Sequence, residues 1–392
     1  MRHLYVLLHR YLGLITALFL AMAGLTGSVL AFHHELDEWL NPSFYEAPGV
    51  GERQQPGALV DKIQAEHPRL QVWYMEYPNE PGHSALLAAV ARNDPSSGQP
   101  YAEKNTVFYL DPVSGQALGQ RYWGDCCFSR ENFMPFMLEL HYSLTLPGNW
   151  GILLMGVVAI LWVVDCLIAV LLTLPRGRPF WRKWSTAWKI KGGHAYRLNM
   201  DIHRAGGLWL WLLLLPVAIS SVAMNLPAQV FKPAVSLFSP VELSVYEARG
   251  GLPKEQLGQT VLTYQQAYQL AQQEGQRLGL TAPIGELYYS FEYNFYGAGF
   301  GQHDTDAQGK SWLFFHGTDG HLLGKEIAGQ GTLGERFYRL QLPIHGGRII
   351  GMTGQVLIAV LGVMIAVLSL TGVYIWWRKL QARRSGKVRK AV

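Results

Sequence analysis

Four runs of bilayer length decide what this chain can fold into. Tyr11–Phe32, Ala205–Leu226 and Ile349–Trp377 carry no charge, and Trp150–Leu174 is broken only by Asp165. About 20 apolar residues in a helix cross a hydrocarbon core, where each backbone N–H and C=O must be satisfied within the segment. The sequence therefore predicts four membrane-spanning helices. The chain as a whole is 49% hydrophobic and 16% charged, an average over apolar blocks and polar segments able to fold in water.

The positive charges orient these helices. Between the second and third runs lie Arg176, Arg178, Arg182, Lys183, Lys189, Lys191 and Arg197, against the single acid Asp201. After the fourth come Arg378, Lys379, Arg383, Arg384, Lys387, Arg389 and Lys390, with no acid. Short Lys/Arg-rich segments stay cytoplasmic, so both termini and the middle loop are expected inside. The expected order is a first span at 1–32, an outer domain at 33–146, a second span at 147–175 and a basic loop at 176–203. A third span at 204–226, a second outer domain at 227–346, a fourth span at 347–377 and a basic tail at 378–392 complete it. The net charge of +5 reflects this topology and gives no reason to expect a nucleic acid partner. Met1–Arg10 is a basic start, but the apolar core after it exceeds the about 7–15 residues of a signal peptide and no A-x-A site follows. The first run is expected to stay as an anchor.

Helix, outer domain and helix then occur a second time. VFYLDPVSGQALG from Val107 parallels WLFFHGTDGHLLG from Trp312, each a strand, a turn and a strand. Upstream, ALVDKIQAEHP from Ala58 and TYQQAYQLAQQEG from Thr263 read as amphipathic helices. LQVWYMEY from Leu70 and ELYYSFEYNF from Glu286 read as strands. The expected fold is an integral membrane α-helical bundle with two outer α+β domains, each a helix on an antiparallel sheet, made by an internal parallel duplication. Such repeats are related by a pseudo-two-fold axis along the membrane normal.

Histidines mark the ends of the apolar runs. HRYLGL begins at His9 and HRAGGL at His203; LHYSLTLPGNWG and LPIHGGRIIG place His141 and His345 before the other two runs. Imidazole is costly beside hydrocarbon without a task, and it is a common axial ligand of haem iron. The repeat pairs His9 with His203 at the inner face and His141 with His345 at the outer face. Each pair suits one bis-histidine haem, so two haems per chain are expected. His33 and His34 have no counterpart in the second half. On a straight helix His34 falls within about 20° of His9's face, so an outer pair mixing His33 or His34 with His141 or His345 stands beside the symmetric one. Structural roles, with the rings bonded to backbone or headgroups, are the plainer reading. Gly13, Gly206 and Gly207 leave room for a macrocycle or a neighbouring helix.

Asp165 lies mid-span beside Cys166. A proton relay, a quinol contact, a hydrogen bond to Ser220 or Ser221, or a hydrated crevice would each account for it. Adjacent Cys126 and Cys127 suit a vicinal disulfide, two thiols or an interchain bond. YNFYGAGFGQHD from Tyr293 and RYWGDCCF from Arg121 read as a lip for a bulky ligand or as packing on lipid headgroups. His67, His83, His303, His316 and His321 read as solvated surface residues without metal-like spacing, and His194 as a contact to lipid phosphate. No C-x-x-C-H is present, which argues against c-type haem. No Walker A motif or convincing G-x-G-x-x-G is present either, so electrons would come from membrane quinol or a cytoplasmic reductase.

The HRYLGL and HRAGGL helices, with their DPVSG and GTDG hairpins, resemble the PepSY-associated transmembrane family, and within it the FoxB-type siderophore reductases of the bacterial inner membrane. The likeness covers nearly the whole chain. It is sharpest at His9, Arg10 and Gly13, at His203, Arg204 and Gly207, at Leu140–His141, and at His345 with Gly354. The resemblance implies PepSY-like periplasmic domains, haem b, and reduction of ferric iron in a siderophore brought to the periplasm. Two other classes stay open. One is a non-redox PepSY-type binding or regulatory membrane protein; the other is a transporter whose protons pass Asp165 and the histidines.

Overall fold

The computed structural model describes residues 1–301 and 309–388, which fall into two compact units. The first comprises residues 1–32, 137–237 and those from 341 onward. It holds four long helices, α1 (Arg2–Leu30), α2 (Trp150–Thr173), α3 (Ala195–Asn225) and α4 (Gly351–Val388). All four are long and apolar enough to cross a membrane.

Between helices in lipid there is no hydrophobic drive, so close packing and hydrogen bonds must hold them together. At the α1–α4 contact, Gly24 and Gly362 meet backbone to backbone, and a Cβ on either would fall on the other's carbonyl oxygen. Ser28 Oγ donates to the Ala359 carbonyl at 2.7 Å, and Gln355 Nε2 to that of Ala31 at 3.0 Å. Where α2 meets α3, Trp211 Nε1 donates to the Cys166 carbonyl at 3.0 Å.

Three helices run further than the apolar pattern suggests, α1 by starting at Arg2 ahead of Tyr11. α3 starts at Ala195 rather than beside His203, with His194 as its N-cap accepting the Arg197 N–H. Buried Asp201 takes the Lys191 N–H at 3.0 Å and the Arg204 guanidinium at 2.7 Å, which ties the basic loop onto the first turns of α3. α4 runs past Trp377 into the basic tail, because Ala, Gln, Arg and Lys are strong helix formers. An apolar run ends where hydrocarbon ends; a helix need not.

The second unit comprises residues 33–136 and 238–340. Its strands are β1 (Leu70–Glu76), β2 (Ala85–Ala91), β3 (Thr106–Leu110), β4 (Ala117–Tyr122), β5 (Ile284–Ser290), β6 (Phe295–Phe300), β7 (Ser311–His316) and β8 (Leu322–Glu326). The sequence suggests one sheet per segment. Instead β1 and β5 pair antiparallel, Met75 opposite Leu287, and all eight strands form one sheet in the order β4-β3-β2-β1-β5-β6-β7-β8. Joining the two inner edges satisfies backbone groups that two separate sheets would leave open. One core results: Leu59, Val60 and Ile63 of helix Pro56–Glu66 and Ala267 and Ala271 of helix Tyr264–Arg277 share a cluster with Leu87, Phe108, Leu287 and Leu313. Tyr264 Oη crosses between the halves to the Val72 carbonyl at 3.1 Å.

Two readings of the second segment change. ELYYSFEYNF is the end of β5, a turn with Asn294 at φ +47°, and the start of β6. The Phe295–Phe300 part of YNFYGAGFGQHD forms no lip: it is a fully buried interior strand, whose small Gly297 and Gly299 leave room for the Tyr288 and Trp312 rings. The end of that motif, with His303, lies outside the described residues, as do Arg389 and Lys390. Cys126 and Cys127 are paired as a vicinal disulfide.

Candidate functional site

The helical unit brings four of the predicted histidines together as two pairs. His9 and His203 have ring centres 6.0 Å apart with planes at 48°. His141, on helix Arg130–Ser143, and His345, on helix Gln341–His345, are also 6.0 Å apart, at 65°. Thr26 of α1 contacts His141 and Ser220 of α3 contacts His345, so each helix records the spacing of the pairs. From His9 to Thr26 and from His203 to Ser220 is in both cases seventeen residues, about 26 Å of helix rise.

The four rings share one protonation pattern. Asp165 Oδ1 of α2 lies 2.8 Å from His9 Nδ1 and, as a carboxylate oxygen, accepts. His203 Nδ1 is 3.1 Å from the Leu368 carbonyl, an obligate acceptor, and 3.1 Å from Thr371 Oγ1, whose own hydrogen goes to Leu368 O. Thr26 Oγ1 donates to Met22 O, so at 3.0 Å it accepts from His141 Nδ1. Ser220 Oγ donates to Val217 O and accepts from His345 Nδ1 at 3.0 Å. Each imidazole therefore carries its hydrogen on Nδ1. When neutral, each has its lone pair on Nε2. Burial pushes His345 down to about 4 and holds His141 below the ordinary imidazole value, so both are neutral at pH 7.

Asp165 thus has a definite partner. It holds His9, whereas Ser220 holds His345 and Ser221 bonds back to Val217 O. Three of the four Nδ1 acceptors are neutral, and only His9 faces a carboxylate. Gly13 lies 4.0 Å, by its virtual Cβ, from Asp165 Oδ2, while Gly206 meets Leu368 and Gly207 faces open space. The glycines pressed against the rings are others: a Cβ on Gly27 would stand 3.0 Å from His141 Cε1, and one on Gly372 would stand 3.2 Å from His203 Cε1.

Sequence reasoning missed Thr26, Thr371 and Gly372 as supports. The signal was there: Leu25-Thr26-Gly27 and Leu370-Thr371-Gly372 are the same triplet, one in α1 and one in α4. His33 and His34 do not extend α1, which ends at Leu30; they start a separate helix, His33–Leu40, in the other unit. The straight-helix estimate for His34 therefore fails, and its ring lies 5.7 Å from that of Tyr45. His316 and His321, read as unrelated surface residues, converge with Asp319.

Four apolar helices and two half-buried histidine pairs, together with a β-rich unit, define an integral membrane protein. A family model described as the PepSY-associated TM region matches residues 6–379, and the chain belongs to that family. Comparison with curated proteins returns no match.

Proposed function

We propose that this protein is a two-haem reductase of the bacterial inner membrane that passes electrons outward to ferric iron held in a siderophore. The observation that carries the reading is the common arrangement of the four histidines. All have Nδ1 fixed as a donor and Nε2 left for a metal, the usual arrangement of a ligating imidazole and its supporting acceptor. The spacing also fits. Both pairs stand with ring centres 6.0 Å apart, a separation at which the two Nε2 atoms of each pair would hold one metal ion between them.

His9 and His203 would hold one haem b, and His141 and His345 the other. Bound there, haem supplies a one-electron couple at each level of the bundle. The chain's own contribution is positional: Asp165, Thr371, Thr26 and Ser220 set ring orientation. With the basic loop and tail inside, the His9 pair lies on the cytoplasmic side, where quinol or a cytoplasmic reductase would donate. The His141 pair then serves the periplasmic side.

The siderophore reading draws on the FoxB-type likeness at the HRYLGL and HRAGGL helices. Its chemistry is simple: hard oxygen donors hold ferric iron far more tightly than ferrous iron, so one electron loosens the complex. The test is anaerobic mixing of the dithionite-reduced protein, freed of excess reductant, with ferric trihydroxamate and tricatecholate chelates, using gallium chelates as redox-inert controls. Reoxidation by at least one ferric chelate, with ferrous iron captured by a chromogenic ligand, is the expected result. Haem that stays reduced with every ferric chelate would contradict it.

A further inference from the structure

The β7–β8 hairpin carries a cluster that this function does not use. His316 and His321 flank the four-residue turn Gly317–Gly320 as a cross-strand pair, with His316 N–H donating to His321 O at 2.9 Å and Gly320 N–H to His316 O at 2.9 Å. Asp319 Oδ1 lies 2.9 Å from His316 Nδ1 and 2.6 Å from His321 Nδ1. One ligand atom from each of the three residues can be drawn within 4.8 Å of the others.

Protonation makes the cluster unusual. His316 Nε2 lies 3.2 Å from the Leu257 carbonyl, which only accepts, so the ring's hydrogen is on Nε2. The neutral ring then points the Nδ1 lone pair at a carboxylate oxygen. Two lone pairs at 2.9 Å repel unless a cation lies between them. This is the reverse of the pattern at the four membrane histidines, where Nδ1 donates.

The turn itself does not need the histidines. The matching hairpin after β3 has Asp111, Ser114 and Gln116 at these positions, and closes with Asp111 Oδ1 accepting the Val113 N–H at 2.9 Å. The second turn is also braced from outside, since Thr318 Oγ1 donates to Gln259 O at 2.6 Å. Arg249, close enough to sense Asp319, is directed to the Leu257 and Tyr293 carbonyls.

We infer that His316, Asp319 and His321 form a binding site for a divalent first-row transition ion, with both imidazoles ligating through Nδ1. Metal–ligand bonds of about 2.0–2.2 Å put neighbouring donors about 3.0–3.4 Å apart, so small rotations of the two exposed side chains, Asp319 and His321, admit the ion. Two imidazoles and one carboxylate favour zinc, copper, nickel or ferrous iron over magnesium or calcium. Three protein ligands leave positions for water, as befits an exchangeable site. The inference is independent of haem.

The test is calorimetric titration of the full-length detergent-solubilised protein with Zn²⁺, Ni²⁺ and Mn²⁺ at pH 7.5, beside His321→Ala and Asp319→Asn. His321 and Asp319 are exposed, so neither change threatens the fold. The expected result is one Zn²⁺ site per chain, Ni²⁺ binding tighter than Mn²⁺, and at least tenfold weaker Zn²⁺ binding in each variant. Zn²⁺ binding that both variants retain would place the ion elsewhere. No Zn²⁺ binding by the parent protein would leave a proton as the bridging cation. Either outcome overturns the inference.

Discussion

His9→Ala is expected to lose one haem and keep the other, and His345→Ala to do the reverse. In each variant the haem content falls from about two to about one per chain. The pairs are about 26 Å apart along α1 and α3, and they share no supporting residue. Removing His9 leaves Thr26 bonded to His141 and Ser220 to His345, so the second pair keeps both its geometry and its protonation. Reduced-minus-oxidised spectra with a pyridine haemochrome assay read the effect directly. His33→Ala and His34→Ala should keep full haem content, because both residues belong to the helix His33–Leu40 and not to α1. Loss of a haem in either would restore the mixed outer pair.

The second large effect is expected at Asp165. A carboxylate accepting the His9 Nδ1–H pushes negative charge onto the ring and stabilises the more positive ferric state. The other three histidines have neutral acceptors, so the haem at the Asp165 level should have the lower potential, and electrons should run downhill toward His141 and His345. Asp165→Asn keeps an acceptor oxygen but removes the charge. A charged hydrogen bond exceeds a neutral one by about 1–2 kcal/mol, which for one electron is about 40–85 mV. Spectroelectrochemical titration should show one potential rising by that order while the other holds. Two unchanged potentials would make Asp165 a positioning residue with no electrostatic part. A haem lost altogether would make its orienting role the dominant one.

Much of this arrangement was legible from the chain alone, and the rest was hidden for definite reasons. The four apolar runs and the H-R-x-x-G-L pair announce the helices and the His9–His203 pair, because bilayer length and a histidine beside hydrocarbon are strong local constraints. The pairing of His9 with His203 came from comparing the two halves. The acceptors did not, since whether Asp165 meets His9 or Ser220 depends on the rotation of α2 against α1, which no local pattern records. The placement of His34 on the face of His9 failed on one assumption, that α1 continues unbroken beyond Leu30. In the second unit the hairpins were readable from their turns, yet the union of β1 with β5 was not. That contact joins residues more than two hundred positions apart, and its cause is an open edge visible only once each half has formed. His316 and His321 were readable in principle: once the turn is placed, the two flank it and must face each other.

The most direct measurement is the haem content of the parent protein, purified in detergent from cells supplied with haem. The expected result is sharp b-type bands on reduction and about two haems per chain, one for each histidine pair. A folded protein that stays colourless under those conditions would contradict it, and would leave the two pairs as buried polar contacts in a membrane binding protein.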